Sequence, residues 1–469
     1  MSGCSWLGGA GASFEATKQE LDAITPPSWM AVVEKARAGT VSTTWWQELG
    51  DPTLDALVEE AFAHNHDLEA AAARVAAAEA EARIAGADLY PSLGASASAS
   101  RERNVYTGLP IPSEQGGATD EPLSSTSNRF GVSLDISWEI DLWGRLRSSA
   151  AAATAELAAA RIEYAGTRLS LAAQTAKVYF ALVEAREQLA LAEETVTSYR
   201  VTAEQVQARY ERGTRSPLDL RLALTQVAAA EARVTARRSA FERTKRQLEV
   251  LLGRYPGAEL AAAGSLDHQA PAVPAGLPAE LLGRRPDLAA AERRLYAADK
   301  RVRAARAALL PRVGLTGSAG QVSEEIADLL DGSFGVWSLA ANLTQPIFEG
   351  GRLRAGVDLA AARAAGVQAE YAALALRAFA EVETALADED LLVRLVVALA
   401  EAAEQSTAAE SLADQRYLGG LESYVTVLAA KRSSLDARSA LIDAKRQRLE
   451  TRIDLYLALG GGFSQTDAS

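Results

Sequence analysis

Few side chains in this sequence have the types and spacing that catalysis or metal binding requires. His64 and His66 are two residues apart, which on a helix would place them on different faces, and His268 lies far from both. Cys4 is the single cysteine and has no accompanying base that would make it a nucleophile. No glycine-rich phosphate-binding loop follows a predicted strand. We therefore predict no metal site, no bound cofactor and no enzymatic activity.

A cluster of acidic residues is the remaining candidate for chemistry. Its members are Glu381, Glu383, Asp388, Glu389 and Asp390. Such a cluster could act in acid–base catalysis or bind a cation, but its position in an alanine-rich helical segment is more typical of a solvated helix face.

The formal net charge of −13 argues against nucleic acid as a partner. No apolar run reaches the ~18–20 residues of a membrane-spanning helix.

Two long segments form the framework that must position any site. Residues 145–210 and 352–418 lack proline and are rich in Ala, Leu, Glu and Arg, which are strong helix formers. At ~1.5 Å per residue, each helix would be roughly 100 Å long. A glycine-containing turn follows each segment, and a shorter helix then covers 217–253 or 423–460. Apolar residues occupy neighbouring faces of these helices, as expected for a helix that packs against partners on two sides.

The second half of the chain repeats the first. A constant offset of 207 residues relates Gly144 to Gly351, Tyr210 to Tyr417, and Ser216 to Ser423. Upstream of these positions the offset is 220, as Pro91 and Pro311 show. The difference of 13 residues predicts a longer loop in the first copy, over the Gly/Ser/Pro-rich stretch 107–127.

Each copy also contains a pair of predicted strands. Apolar residues occupy every second position from Phe130 to Leu142, with polar residues between them. The predicted strands cover 89–103, 128–143, 311–322 and 334–348. Their pattern fits either an ordinary half-buried hairpin or the apolar-out, polar-in strands of a transmembrane barrel. Four strands cannot close a barrel whereas twelve can, so the second alternative requires a trimer.

Six motifs, in order and at these spacings, carry a family resemblance. They are Trp46-x-x-x-Gly50-Asp51-Pro52-x-Leu54, Leu142-Trp143-Gly144-Arg145-Leu146-Arg147, Leu251-Leu252-Gly253-Arg254, Arg284-Arg285-Pro286-Asp287-Leu288, Pro346-Ile347-Phe348-Glu349-Gly350-Gly351-Arg352 and Leu459-Gly460-Gly461-Gly462-Phe463. Together they resemble the outer-membrane efflux proteins of Gram-negative bacteria, of the TolC and OprM type. The resemblance covers residues 45–463, nearly the whole chain.

The resemblance implies a mixed α and β fold with an internal structural duplication. Three protomers, each supplying four strands, would form a twelve-stranded transmembrane β-barrel that a long periplasmic α-helical barrel continues. The implied segments are an N-terminal lipid-anchor and equatorial segment (1–50), a first repeat (51–254), an equatorial linker (255–279), a second repeat (280–462) and a C-terminal tail (463–469).

The function implied by the resemblance is that of an exit duct in a tripartite efflux pump. The homotrimer would sit in the bacterial outer membrane, extend into the periplasm, and passively conduct drugs or other small toxic solutes. Its partners would be a periplasmic adaptor protein and an inner-membrane transporter, of the RND type in our interpretation. Protein (type I) secretion and metal-ion efflux remain alternative cargoes of the same duct. A soluble periplasmic coiled-coil scaffold is an alternative of another class.

The resemblance also suggests site residues at the two turns. The adaptor-docking tips would comprise Arg209, Tyr210, Gly213, Ser216, Leu218, Asp219, Gly419, Gly420 and Ser423, and the periplasmic gate would comprise Arg416, Tyr417, Val425 and Arg432. Relatives often carry an acidic residue where this chain has Ala429, which puts an acidic filter at that position in doubt. We expect the second turn to form the inner gate and the first to contribute more to docking.

Cys4 has a setting that resembles the end of a bacterial lipoprotein signal, because a small residue, Gly3, precedes it. The charged and apolar parts of such a signal are not seen in this sequence. The resemblance is to the lipoprotein branch of the family, and we expect a covalent lipid on Cys4 that anchors the chain to the outer membrane.

Overall fold

The computed structural model describes residues 25–26, 28–30, 41–107, 123–214, 216–261, 263–268 and 278–463. The predicted lipidation site Cys4, residues 108–122 of the first-copy loop and the end of the C-terminal tail lie outside these ranges. The described residues form two compact units. The sheet unit consists of the described residues within 78–157 and 294–367, and the helical unit of those within 13–77, 158–293 and 368–469.

The helices show the duplication directly. They are α1 (Pro52–His64), α2 (His66–Ala87), α3 (Arg145–Glu211), α4 (Pro217–Leu251), α5 (Pro278–Arg284), α6 (Pro286–Ala307), α7 (Arg352–Leu418) and α8 (Tyr424–Ala458). The long helices α3 and α7 have 67 residues each, and α4 and α8 have 35 each. We call α3 and α4 the first hairpin, and α7 and α8 the second hairpin.

Four antiparallel strands form the sheet of the sheet unit. They are β1 (Ser92–Tyr106), β2 (Leu123–Ile140), β3 (Arg312–Ser323) and β4 (Gly335–Thr344), and they pair in the order β1-β2-β3-β4. β1 and β4 are therefore the two edges of the sheet. With 15 and 18 residues, β1 and β2 are longer than β3 and β4, with 12 and 10. Part of the excess that we assigned to the first-copy loop thus lies in the strands themselves.

The strand register gives the sheet one continuous apolar face. Leu134 of β2 is opposite Ala95 on one side and Ala319 on the other, and Ala319 is opposite Trp337. The alternation predicted this face, because successive side chains of a strand point to opposite sides. The other face carries small hydroxyl residues, which form cross-strand pairs between Ser96 and Ser133 and between Ser318 and Ser338.

Two tryptophan indoles form hydrogen bonds near the ends of β1, β2 and β3. The Trp138 indole donates to the Leu89 carbonyl at 3.0 Å, and the Trp143 indole donates to the Pro311 carbonyl at 2.7 Å. Residues 89–91, 141–143 and 345–348, which we predicted as strand, lie outside the observed strands.

The core of the helical unit lies where α1, α3, α7 and α8 meet the segment before α1. Trp45 is fully buried and stacks on Tyr456 of α8 with ring centroids 5.1 Å apart. Tyr179 of α3 donates its hydroxyl to the Asp51 carboxylate, which also accepts from the Thr53 backbone and so caps α1. A small number of aromatic anchors therefore fixes the ends of the helices around the alanine-rich packing surfaces.

The sequence pattern predicts one helix from Pro52 to Ala87, but Asn65 breaks it into α1 and α2. Its side-chain oxygen accepts from the backbone N–H groups of Asp67 and Leu68, at 2.9 and 3.0 Å, so it is the N-cap of α2. Its side-chain amide donates to the Leu251 carbonyl at 2.9 Å. The same side chain thus starts α2 and fastens it to the end of α4.

None of the helices within the described ranges is both long enough and apolar enough to cross a membrane.

Candidate functional site

The turn between α3 and α4, which we call the first turn (residues 209–219), is formed by a left-handed glycine and a helix N-cap. Gly213 has a left-handed φ of +74°, which allows the Thr214 N–H to donate back to the Arg209 carbonyl at 3.0 Å. Ser216 then accepts from the Asp219 N–H at 3.2 Å and starts α4. The helix therefore stops and restarts within a few residues, and of this turn only Arg215 lies outside the described residues.

The turn between α7 and α8, the second turn (residues 416–425), repeats this geometry. Gly420 has a φ of +76°, and the Leu421 N–H donates to the Arg416 carbonyl at 2.9 Å. Ser423 accepts from the Thr426 N–H at 3.2 Å as the N-cap of α8. Gly419 has no left-handed φ, so its role in the turn differs from that of Gly420.

A shared aromatic cluster packs the two turns against each other. Tyr417 and Tyr424 are both buried, with ring centroids 5.8 Å apart. They pack with small and apolar residues of both hairpins, namely Ala203, Val206, Ala223, Ala413 and Val427. Burial, followed by the neighbouring Tyr199, raises the pKa of Tyr424, so its phenol stays neutral throughout the physiological range.

Arg209 connects the first turn to the second. Its guanidinium donates to the carbonyls of Tyr417 and Leu418 at 3.1 and 2.8 Å, and its Cζ lies 5.0 Å from the centroid of the Tyr417 ring. These carbonyls belong to the last turn of α7, where helical carbonyls have no intrahelical donor. A cation at a helix C-terminus is also favoured by the helix dipole. Arg209 therefore caps the second hairpin from the first.

The other residues predicted for docking lie on the surface of the turns. Leu218 is 65% exposed and Tyr210 40%, while Asp219 is partly buried. The remaining members Gly213, Ser216, Gly419, Gly420 and Ser423 are exposed. Leu421, which the sequence analysis did not single out, is 70% exposed in the second turn. The described residues of the two turns thus present exposed apolar side chains.

The four residues predicted for the gate are not brought together in the protomer. Val425 is 61% exposed, and Arg432 lies exposed on the same face of α8, with Ala429 between them. Arg416 pairs instead with Glu422 of its own turn at 3.4 Å. Tyr417 is 1% exposed and belongs to the aromatic cluster. Val425 and Arg432 therefore lie on an exposed face of α8, whereas Tyr417 belongs to the buried contacts between the two turns.

Lys431 is the residue of this region that sequence reasoning missed. Its side chain is 4% exposed, and its ammonium lies 2.6 Å from the Asp414 carboxylate of α7. A lysine on a polar helix is normally exposed. The signal that could have found it is the spacing of Glu410 and Asp414, two acids one turn apart that could face a buried cation.

We also searched the described part of the chain for side chains that could bind a metal ion. There, no three His, Cys, Asp or Glu residues form a cluster that could hold a metal ion. His64 and His66 are exposed, and His66 lies 3.1 Å from Glu69. His268 packs its ring on Phe180, 3.6 Å from the Asp51 carboxylate.

Comparison with solved structures defines the class of protein. The chain is similar to the outer-membrane channel MtrE of Neisseria gonorrhoeae, solved in an open state, with a TM-score of 0.80 and 30% identity over 94% of this chain and 96% of that chain. The fold is thus that of a protomer of an outer-membrane channel.

Sequence comparison then gives the family. The model of the outer membrane efflux protein family matches residues 57–254 and 277–461, and the chain belongs to this family. It is 35% identical to the pyoverdine export outer membrane protein OpmQ of Pseudomonas putida, over 94% of this chain and 93% of that protein. It is 34% identical to the outer membrane protein OprJ of Pseudomonas aeruginosa, over 93% and 90%. The resemblance stated from the motifs is confirmed.

Proposed function

We propose that this protein is the outer-membrane exit duct of an efflux pump and works as a homotrimer. The observation that carries the proposal is the sheet, which has one apolar face, an opposite face of small hydroxyl residues, and two open edges. Three such sheets joined edge to edge would give twelve strands, enough to close a barrel with lipid outside and water inside. The duct itself performs no chemical step and requires no cofactor.

The exposure of the apolar face supports the duct over a soluble scaffold. Trp337 is 81% exposed in the protomer and Leu339 69%, on neighbouring positions of the same face of β4. A soluble periplasmic scaffold would leave this apolar face in water, which is unfavourable. In the duct, the same face contacts lipid.

Small solutes are the cargo that we propose. The similarity to a pyoverdine export protein along nearly the whole chain supports export of small molecules. Protein secretion and metal-ion efflux are the alternative cargoes, and a duct of this kind serves each without any change in its own chemistry. The partners that supply the cargo would be a periplasmic adaptor and an inner-membrane transporter of the RND type.

We assign docking of the adaptor to the exposed surface of the two turns. Tyr210, Leu218 and Leu421 offer exposed apolar side chains in turns where Gly213 and Gly420 have left-handed φ angles. We assign the constriction of the duct to the exposed face of α8, with Val425 and Arg432. Arg416 and Tyr417 would support this face from the second turn.

Lipidation of Cys4 is part of the same proposal. A lipid on Cys4 would anchor the N-terminal segment to the periplasmic leaflet of the outer membrane. Metabolic labelling with a palmitate analogue tests it, and the Cys4→Ser variant supplies the unlabelled control.

The decisive experiment on the duct combines two measurements on the full chain. The protein is extracted from outer membranes in detergent, its native mass is determined, and its conductance is measured in planar bilayers. We expect a trimer that conducts ions. A monomer that is soluble without detergent would contradict the proposal and favour the scaffold.

A further inference from the structure

The apolar face of the sheet ends at the same level on three neighbouring strands. Ala99 of β1 is opposite Phe130 of β2, and Phe130 is opposite Ser323 of β3. Ile140 comes ten positions after Phe130, which is about 34 Å along a strand. At the ~35–45° tilt of transmembrane strands, this length gives a height of about 26 Å, close to the ~25 Å apolar band of an outer-membrane barrel. We call the apolar residues over this height the band.

The connections of the strands identify the outer end of the band. The helix α2 precedes β1 and the helix α3 follows β2, so both strands join helices at the end near Ile140. In the proposed duct the long helices extend into the periplasm. The end of the band at Ala99 and Phe130 is therefore the one that faces the outer leaflet of the membrane.

Two arginines lie directly beyond this outer end, on the same face as the band. The outward residues there are Arg101, Arg103 and Val105 on β1 and Asn128, Thr126 and Ser124 on β2. Both arginines are exposed. Arg103 donates to the Ser124 hydroxyl at 3.2 Å, as expected for side chains that share a face. A guanidinium has five N–H donors, so Arg103 keeps donors for a further partner.

The strand alternation separates the charges of this segment between the two faces. Glu102 lies between the arginines in sequence, so its side chain is on the opposite face of β1. Arg129 of β2 is on that opposite face as well, because it is paired with Ser100. The outward face of these two strands therefore carries two positive charges, and the carboxylate of the segment lies on the other face.

Carboxylates of a neighbouring protomer are the competing partners for the two arginines. Joining the sheets edge to edge would bring the connection 324–334 of one protomer toward β1 of the next. Two of its carboxylates already have partners within the protomer. Asp331 accepts from the backbone and the hydroxyl of Ser333, at 3.0 and 2.9 Å, and Asp328 accepts from the Ser323 hydroxyl at 3.4 Å. This favours a ligand from outside the protein.

A phosphorylated lipid matches the chemistry of this position. A guanidinium binds phosphate through two parallel hydrogen bonds and stays charged throughout the physiological range. Arginine also lays its aliphatic stem along apolar surface while its charged end remains at the interface. A lipid places its phosphate at this level and its acyl chains against the band. A free phosphate ion would contact the arginines alone.

We propose that Arg101 and Arg103 of each protomer form a binding site for the phosphate groups of an outer-leaflet lipid, whose acyl chains lie against the band. The inference rests on the proposed duct function, which places the band in the membrane. It adds a ligand on the outer surface of the duct, separate from the cargo that passes through it.

The test measures lipid binding to the purified full-length trimer by native mass spectrometry in detergent. The probe is hexa-acyl lipid A with two phosphates, and the reference is the same lipid after removal of both phosphates. Arg101→Gln is compared with Arg129→Gln, the matched control. Each variant removes one arginine at the same level of the sheet, from the outward and the opposite face respectively. The double variant Arg101→Gln with Arg103→Gln removes both cations of the site.

We expect the double variant to bind diphosphorylated lipid A roughly tenfold more weakly than wild type, with Arg101→Gln intermediate. Arg129→Gln should bind it as wild type does. The dephosphorylated lipid should bind wild type and the double variant equally, because only the acyl contacts remain. Inorganic phosphate at the concentration of the lipid should displace none of it, and displacement would overturn the lipid as the ligand.

Three further outcomes would contradict the proposals. Equal binding of diphosphorylated lipid A to wild type and the double variant would overturn the site. A double variant that binds this lipid normally but forms a less stable trimer would also overturn it, and would assign the arginines to carboxylates of the neighbouring protomer. Wild-type protein that yields no trimer from outer membranes would overturn the duct itself.

Discussion

Gly213 and Gly420 occupy the same place in the two turns and are left-handed for the same reason. In both, the positive φ lets the chain fold back onto the last helical carbonyls. A Cβ at either position would meet nothing within 4 Å, so the constraint is conformational and does not arise from packing. Arg209 then connects the two turns by donating to the carbonyls of Tyr417 and Leu418 in the last turn of α7.

Replacing Gly420 or Gly213 by alanine should destabilise each turn by about 1–2 kcal/mol, the cost of a left-handed alanine. Bulky residues at the same positions should abolish drug resistance in a complementation assay while trimers still assemble. Gly419→Ala is the matched control, since Gly419 has no left-handed φ and its Cβ would make ordinary contacts at 3.6 Å. Loss of assembly in the glycine variants would indicate a purely structural role.

Removing the Arg209 side chain should loosen the end of α7. Arg209→Ala removes the guanidinium donor from the carbonyls of Tyr417 and Leu418, although the Tyr417 carbonyl still accepts from the Gly420 N–H, and we expect a local loss of about 1 kcal/mol. Hydrogen exchange of the amides in the last two turns of α7 measures this. Arg394→Ala is the control, because Arg394 pairs with Asp390 of its own helix. Equal exchange in the two variants would argue against Arg209 as a cap.

At the scale of elements, a buried carboxylate of α4 binds the linker that follows the helix. Glu249 accepts from the backbone N–H groups of Ala258, Glu259 and Leu260, at 2.7, 2.6 and 3.1 Å. Burial alone would raise the pKa of Glu249, but the three N–H donors outweigh it and lower the pKa below its usual value. The ionised form is therefore the one that stabilises this connection.

The stability that Glu249 contributes should depend on pH in a defined direction. Because its pKa is lower in the folded than in the unfolded chain, the contribution is complete above the unfolded pKa of ~4.3 and is lost as the pH falls through the folded value. We expect Glu249→Gln to be less stable than wild type by about 2–3 kcal/mol at pH 7. Thermal unfolding should show the difference shrinking below about pH 4. A difference independent of pH would contradict this account.

The sequence predicts the elements better than their ends. Composition and the offset of 207 residues predict two long helices, each followed by a turn and a shorter helix. The alternation from Phe130 onward predicts the apolar face of the sheet. The break at Asn65 was missed because one polar residue in an apolar helical pattern has no periodic signature, and its partner carbonyl at Leu251 is distant in sequence.

The candidate site was predictable only in part, because some of its contacts join residues that are distant in sequence. Glycine and serine mark the turns locally, since their conformational and capping roles depend on neighbouring residues. The exposure of Val425 and the burial of Tyr417 and Lys431 depend on how the two hairpins pack, and these contacts join residues far apart in the chain.

For the whole molecule, the exposed surfaces of the sheet require that the protomer assemble with other copies. One face of the protomer sheet is apolar and exposed, and both edges are open. Open edges pair readily with other strands, so natural proteins cover or close them. The proposed trimer closes all edges at once, which is why oligomerisation and membrane insertion should occur together.

A charge on the apolar face should therefore block insertion, whereas a charge on the other face should not. Leu339→Lys places a cation toward lipid and should cost about 2–4 kcal/mol per protomer near the middle of the bilayer. Ser338→Lys is the matched control on the opposite face of β4. The yield of trimers from outer membranes measures both. Similar yields for the two variants would contradict the assignment of faces.

The equal lengths of the two hairpins restrict how this chain can evolve. Arg209 reaches the end of α7 because both long helices have 67 residues. Deleting seven residues from α3 alone would draw Arg209 back by roughly 10 Å and separate it from the carbonyls it caps. A shorter or longer relative should therefore have gained or lost whole turns in all four hairpin helices together. A chimera that combines hairpins of different lengths should fail at the turns even where every residue of each turn is retained.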